Sequence, residues 1–181
     1  MRAVVLEMPP HWLEERRRLG HDKRDEVWDG VLHMVPQPGT THQGLEVELI
    51  YALKALVEAR GYRLFVETSL FGAAGEKNYR VPDLSVVAPS DFSERGLEQH
   101  AEIVVELLSP NDESRDKLPF YAMCGVGEVW LIEPKTRTIE VLSLDDAYGS
   151  TRTESAVLGI RFSTVDGPKL RLDWQGGSAE V

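Results

Sequence analysis

Cysteine is almost missing: Cys124 stands alone in 181 residues. A single thiol excludes an intramolecular disulfide and a cysteine-built zinc site, and it fits a reducing compartment. Long apolar runs are missing too. No stretch approaches the ~18 residues a membrane helix needs, and the opening Met1-Arg2-Ala3-Val4-Val5-Leu6-Glu7 breaks its apolar run at once, unlike a secretion signal. A soluble, cytoplasmic protein is expected. Positive charge is scarce, with 20 Lys and Arg against 30 Asp and Glu and a net charge of −10. A protein that coats nucleic acid needs a basic face, so the sequence leaves room only for a local basic groove. Gly72 and Gly75 are too sparse to make a phosphate-cradling loop. Repeats, low-complexity segments and inter-domain linkers are absent as well. What remains, with 42% hydrophobic side chains, is enough for a single domain with a real core.

Local signals divide that domain into an N-terminal helix and hairpin (about 9–35), a core (about 41–144) and C-terminal strands (about 150–174). Pro9-Pro10 opens a helix through Trp12 and Leu13 to Leu19, stopped by Gly20, and its Arg16-Arg17-Arg18 run reads as a solvated face. Glu26 to Val35 alternates about Asp29-Gly30, the signature of a hairpin. Thr41 is placed to cap a helix running to about Arg60, with Leu45, Leu49, Leu53, Leu56 and Val57 on its buried face. Arg63 to Leu70 alternates as one strand, Gly72 to Asn78 is a turn, and Ser90 to His100 is a polar surface loop or short helix. Ser109-Pro110-Asn111-Asp112 is another turn. Pro119 is tolerated only in a first helical turn, so the next helix starts near Ser114 to Asp116 and runs to Cys124, with Gly125 ending it. Lys117 therefore lies in its first turn. Strands Val129–Ile132 and Thr138–Leu144 follow, and the tail alternates weakly over Arg152–Val157 and Leu170–Trp174.

Two segments carry the chemistry. Tyr79-Arg80-Val81-Pro82-Asp83-Leu84-Ser85-Val86-Val87 and Ile103-Val104-Val105-Glu106-Leu107-Leu108-Ser109-Pro110 each set one acid on an apolar strand. A buried carboxylate is costly unless it is paired or bound to metal. The excursion between the strands is short, so antiparallel neighbours are expected, with Asp83 beside Glu106. Two adjacent carboxylates repel and one pKa rises; on that basis Asp83→Asn should stabilise the metal-free protein. Mg²⁺ or Mn²⁺ between them would remove the repulsion, polarise a phosphate and acidify water, while Lys117 would stabilise developing charge. This is a layout for phosphodiester hydrolysis. The bland alternative sets Asp83 at the surface beside Pro82 and pairs Glu106 with Arg80, and spacing alone does not choose.

The wider pattern is more specific. The Asp83 and Glu106 segments, then Lys117-Leu118-Pro119-Phe120-Tyr121-Ala122, then Gly125-Val126-Gly127-Glu128-Val129-Trp130-Leu131-Ile132-Glu133-Pro134, resemble in order and spacing the Uma-two family of restriction endonuclease-like proteins, within the PD-(D/E)xK nuclease superfamily. Glu26, Asp29-Gly30, Met34 and His42 sit where the family pattern places such residues, and the resemblance covers roughly Val27 to Leu144. It implies an α/β fold, a restriction-endonuclease-like mixed β-sheet flanked by helices. It also implies DNA as substrate and a metal held by Asp83, Glu106 and the Leu107 carbonyl. The superfamily's lysine would fall at Leu108, which cannot serve; the family supplies it from the following helix, and Lys117 matches that place. The loop before Lys117 is short, so Glu113 either matches the family's acidic residue there or forms a surface ion pair with Lys117.

Other residues keep two readings. His42 fits a phosphate or water contact, or a cap or packing role. Glu26 either completes the metal shell or is a solvated strand end. Tyr121 either fixes Lys117 or packs with Phe120. Trp130 reads as core and Cys124 as a small buried hydrophobe. Three functions compete: a metal-dependent DNA endonuclease, a weak or inactive nuclease-fold binding module, and a phosphohydrolase of small molecules. Eight acids lie between Asp91 and Asp116 against two arginines, so a duplex would need a basic rim from Arg63, Lys77, Arg80 and Lys117. A homodimer would suit a duplex cutter, and a monomeric mass by light scattering would remove that expectation.

Overall fold

The computed structural model describes residues 10–20, 22–110 and 113–181. The Met1–Glu7 run, Pro9 and the Asn111-Asp112 part of the turn after Glu106 lie outside them. Helix α1 (Pro10–Leu19) ends where Gly20 takes a left-handed φ of 68°. Its arginines are not all solvated, because Arg16 clamps Asp25 at 2.6 and 3.1 Å. Asp29 and Gly30, both at positive φ (49° and 88°), turn strand β1 (Glu26–Trp28) back into β2 (Val31–His33). Helix α2 (Thr40–Ala59) buries Leu45, Leu49, Leu53 and Val57. Its N-cap is Gly39 with no side-chain bond, so Thr41 lies within the helix rather than capping it.

The stretch from Arg63 to Leu70 is not one strand. Glu67 has a φ of 45°, which a continuing strand does not adopt, and it divides β3 (Arg63–Val66) from β4 (Leu70–Phe71). Likewise β5 (Tyr79–Arg80) and β6 (Leu84–Val87) flank Val81-Pro82-Asp83. Within Ser90–His100, β7 (Leu97–Glu98) pairs in parallel with β4, so this segment is neither a free loop nor a helix. Strand β8 (Ile103–Leu107) leads through a 3-10 turn (Ser114–Lys117) into α3 (Leu118–Met123), with Pro119 in its first turn as required. Then come β9 (Glu128–Glu133) and β10 (Thr138–Ser143). The weakly patterned tail forms β11 (Glu154–Ser155), β12 (Ile160–Val165), β13 (Lys169–Trp174) and β14 (Gly177–Glu180), a four-stranded antiparallel sheet.

The central sheet has the order β10-β9-β8-β6-β3, and a second sheet runs β2-β1-β5-β4-β7. Side chains alternate between the two faces of the central sheet. Leu84, Val86, Ile103, Val105, Trp130 and Ile132 pack with α2 and the C-terminal sheet. Val87, Val104, Val129 and Leu131 pack with Phe120 and Tyr121 of α3. Strands β8 and β9 are parallel, so the chain must cross over between them, and α3 lies on that crossover. No helix among the described residues is long and apolar enough to cross a membrane.

Candidate active site

The register of β6 and β8 pairs Leu84 with Val105. One step further, Asp83 stands opposite Glu106, and both share the sheet face of Val87 and Val104, toward α3. Asp83 is buried, and each of its oxygens has donors. Oδ2 accepts the Leu107 N–H at 2.7 Å. Oδ1 meets Arg24 Nη2 at 2.7 Å and His42 Nε2 at 3.1 Å. Burial pushes this carboxyl up, but the His42 bond and charge, the Leu107 N–H and Arg24 outweigh it and hold the pKa below its usual range. Burial lowers the His42 pKa, and the bond and charge of Asp83 more than restore it, so the net shift is upward.

Glu106 is surrounded differently. Lys117 Nζ lies 3.0 and 3.2 Å from its two oxygens, the Tyr121 hydroxyl donates to Oε1, and the Ser114 hydroxyl approaches Oε2 at 3.4 Å. Lys117 also lies 2.9 Å from Glu26 Oε1. Glu26 is buried; it accepts the Val81 N–H at 2.9 Å and the Trp28 indole at 2.7 Å. One ammonium thus serves two carboxylates. Burial pushes Glu106 up, Lys117 pulls it down, and Asp83 and Glu26 push it up again, leaving its pKa at about 7. Burial acts to lower the Lys117 pKa, but Glu106 and Glu26 drive it above its ordinary value, so it stays charged.

All six side chains singled out in the sequence therefore meet at one place: Asp83, Glu106, Lys117, Glu26, His42 and Tyr121. Several details differ from expectation. Glu26 is a buried partner of Lys117, not a solvated strand end. Tyr121 holds Glu106 rather than Lys117. Arg80 does not pair with Glu106: it lies between the Trp28 and Phe120 rings, 4.3 and 4.2 Å from their centroids, and donates to the Val27 and Tyr79 carbonyls. Arg80 is thus buried, Lys117 is nearly so, and both are paired; of the expected basic rim only Arg63 and Lys77 are exposed. Glu113 stands at the start of the 3-10 turn that carries Lys117.

Sequence reasoning missed Arg24, Glu46, Glu67 and Ser114. Glu46 had a signal: it is one turn beyond His42, inside the apolar stripe of α2. Its Oε1 is buried with no hydrogen-bond partner, and burial, Asp83 and Glu67 raise its pKa. Among the described residues no three His, Cys, Asp or Glu side chains are already disposed as a metal cage. The carboxylate oxygens of Asp83, Glu106 and Glu46 nonetheless fit a hard cation, and Glu46 Oε1 among them is buried and unfilled. Placing a cation there requires Arg24 and His42 to release Asp83 Oδ1.

Residues 11–165 match the family model Uma2 (Uma-two), described as "Putative restriction endonuclease". No curated protein matches the chain. Among solved structures, the fold is similar to the "Crystal structure of a putative nuclease belonging to DUF820 from Anabaena variabilis ATCC 29413 at 1.96 A resolution". The TM-score is 0.57 at 24% identity, covering 72% of this chain and 78% of that one. At that identity the likeness speaks for the fold, a single restriction-endonuclease-like α/β domain. The family match spans most of the chain, from α1 through β12, and on that ground the chain belongs to the Uma2 family of putative restriction endonucleases.

Proposed function

We propose that this protein is a metal-dependent endonuclease that hydrolyses DNA phosphodiester bonds at Asp83, Glu106 and Lys117. The observation that carries the reading is the pair of buried acids facing each other across β6 and β8, with the Lys117 ammonium on one of them. Asp83, Glu106 and the Leu107 carbonyl are the groups assigned to Mg²⁺ or Mn²⁺, with the free oxygen of Glu46 nearby. Such a cation, when bound, polarises the phosphate and acidifies the attacking water. Lys117 keeps a fixed positive charge beside the oxygens on which negative charge builds. Glu26 holds that ammonium in place, and Tyr121 and Ser114 orient the Glu106 carboxylate so that it does not swing away when Lys117 meets substrate. His42 fixes Asp83 from the other side.

A second reading has its own support. Every oxygen of Asp83 and Glu106 already has a donor, an arrangement that a non-cleaving binding module of the same fold could keep. Cleavage of supercoiled DNA with Mg²⁺ or Mn²⁺ separates the two. The wild type should nick or linearise the plasmid and Asp83→Ala should not. Lys117→Ala should keep the fold and lose on the order of 10²–10³ in rate. Equal activity in all three proteins, or none in the wild type, would remove the endonuclease reading.

A further inference from the structure

Arg24 is largely covered, with most of its donors unmet. It follows α1, beside the Asp25 that Arg16 clamps. Its side chain is 11% exposed. A guanidinium carries five N–H donors, yet Arg24 makes one well-formed bond, from Nη2 to Asp83 Oδ1 at 2.7 Å. Its Nη1 lies 3.1 Å from Glu67 Oε1 without hydrogen-bond alignment, and both Nε and Nη1 are buried with no hydrogen-bond partner. Arg80, whose Nε is likewise unbonded, is held instead by aromatic rings on both faces and by three acceptors at one nitrogen. Charge holds Arg24, not a completed network, and the carboxylate it neutralises is the one whose outward oxygen a metal would need.

We infer that Arg24 is a tethered stand-in for the cation at Asp83: it neutralises the carboxylate while the site is metal-free and must leave Oδ1 for a metal to bind. The inference rests on reading Asp83 as a metal carboxylate. Two consequences follow from simple competition. Removing the guanidinium deprives the metal-free fold of a counter-charge and leaves the buried Asp83 carboxylate with only His42 and the Leu107 N–H, which is destabilising. The same change removes both a competitor and a like charge from the cation's position, so metal affinity rises. A tethered group needs an anchor to return to, and Glu67, which is partly exposed, gives Arg24 a second carboxylate to stay with when it yields the first.

Titration calorimetry with Mn²⁺ on the full chain, with melting curves taken with and without the ion, tests this. Arg24→Gln should bind Mn²⁺ at least about tenfold more tightly than the wild type. It should melt lower than wild type without metal and gain more on adding it. Arg17→Gln removes the same charge from the exposed face of α1 and should bind as the wild type does. If Arg24→Gln fails to fold, Arg24→Met keeps the length of the stem without the charge, and it too should bind more tightly. Equal or weaker binding in the Arg24 variants, beside clear binding in the wild type, overturns the inference and leaves the metal reading standing. Absence of Mn²⁺ binding in the wild type and the Arg24 variants alike overturns both.

Discussion

Asp83 and Glu106 stand across one strand boundary and yet respond oppositely to their surroundings. Asp83 is held ionised by His42, Leu107 N–H and Arg24. Glu106 shares its lysine with Glu26 and is pushed up from 4.5 to about 7. A raised carboxyl pKa means the native state holds a proton that the unfolded chain has released, so stability from this group falls as pH rises from about 4.5 to 7. A lowered pKa means the reverse: the stability Asp83 contributes is present at neutral pH and is lost as pH falls below the usual carboxylate range. Glu106→Gln should therefore raise the metal-free melting temperature at pH 8 by several degrees, from a burial penalty of about 3 kcal/mol at most, with the gain fading toward pH 4.5. Asp83→Asn should lower it, with the deficit fading in acid. Thermal melts across pH check both signs. This reverses the expectation that neutralising Asp83 relieves repulsion, because the repulsion is borne by Glu106. The acids and Lys117 were legible as charges in or beside apolar strands. Arg24 and Glu67 were not, since a charged residue in a polar turn looks the same whether it faces water or a buried partner 59 positions away.

Elements with strong local signals formed close to where the sequence places them: the Asp29-Gly30 hairpin, the apolar stripe of α2, and α3, whose expected first turn at Ser114–Lys117 is 3-10 so that the α-helix begins only at Leu118. Elements held by distant partners did not show. Strand β7 is two residues long, and its pairing with β4 depends on Gly96 just before it. There φ is 153°, and a Cβ would fall 2.6 Å from the Ser69 carbonyl oxygen and 2.9 Å from the Phe71 ring. Gly96→Ala is expected to cost about 1–3 kcal/mol and to lower the melting temperature by several degrees, with amide exchange rising first in β4 and β7. Arg63–Leu70 shows the same limit from the other side. Its alternation is genuine, but the kink at Glu67 that parts β3 from β4 has no marker in composition, and a glutamate at φ 45° is stabilised only by its setting. The N–H of that glutamate donates to the Asp83 carbonyl at 3.0 Å, so the kink also braces the candidate site.

Across the whole molecule, the C-terminal sheet is structural. Ile160, Phe162, Leu170 and Leu172 complete the apolar cluster between α2 and the central sheet, and Phe162 sets its ring against Trp130 at 5.0 Å. Glu128, buried at the start of β9, accepts the Ala156 and Val157 N–H groups and ties that sheet to the central one. The chain should accordingly melt in a single calorimetric transition, with van't Hoff and calorimetric enthalpies agreeing; two resolved transitions would show that the C-terminal sheet folds apart. The tail was weakly legible because β12 and β13 each bury only two apolar side chains and β14 none. The site's contacts, by contrast, join residues far apart in the chain: 59 positions for Arg24 and Asp83, 41 for His42 and Asp83, 55 for Val81 and Glu26. Such pairings form late, after loop-closure entropy has been overcome. During synthesis Arg24, His42 and Asp83 leave the ribosome before Glu106 and Lys117 do, and α2 has no complete apolar cover until the C-terminal strands emerge. A nascent chain that has not yet formed the C-terminal sheet thus carries the acids of the site without the packing that holds the central strands beneath them.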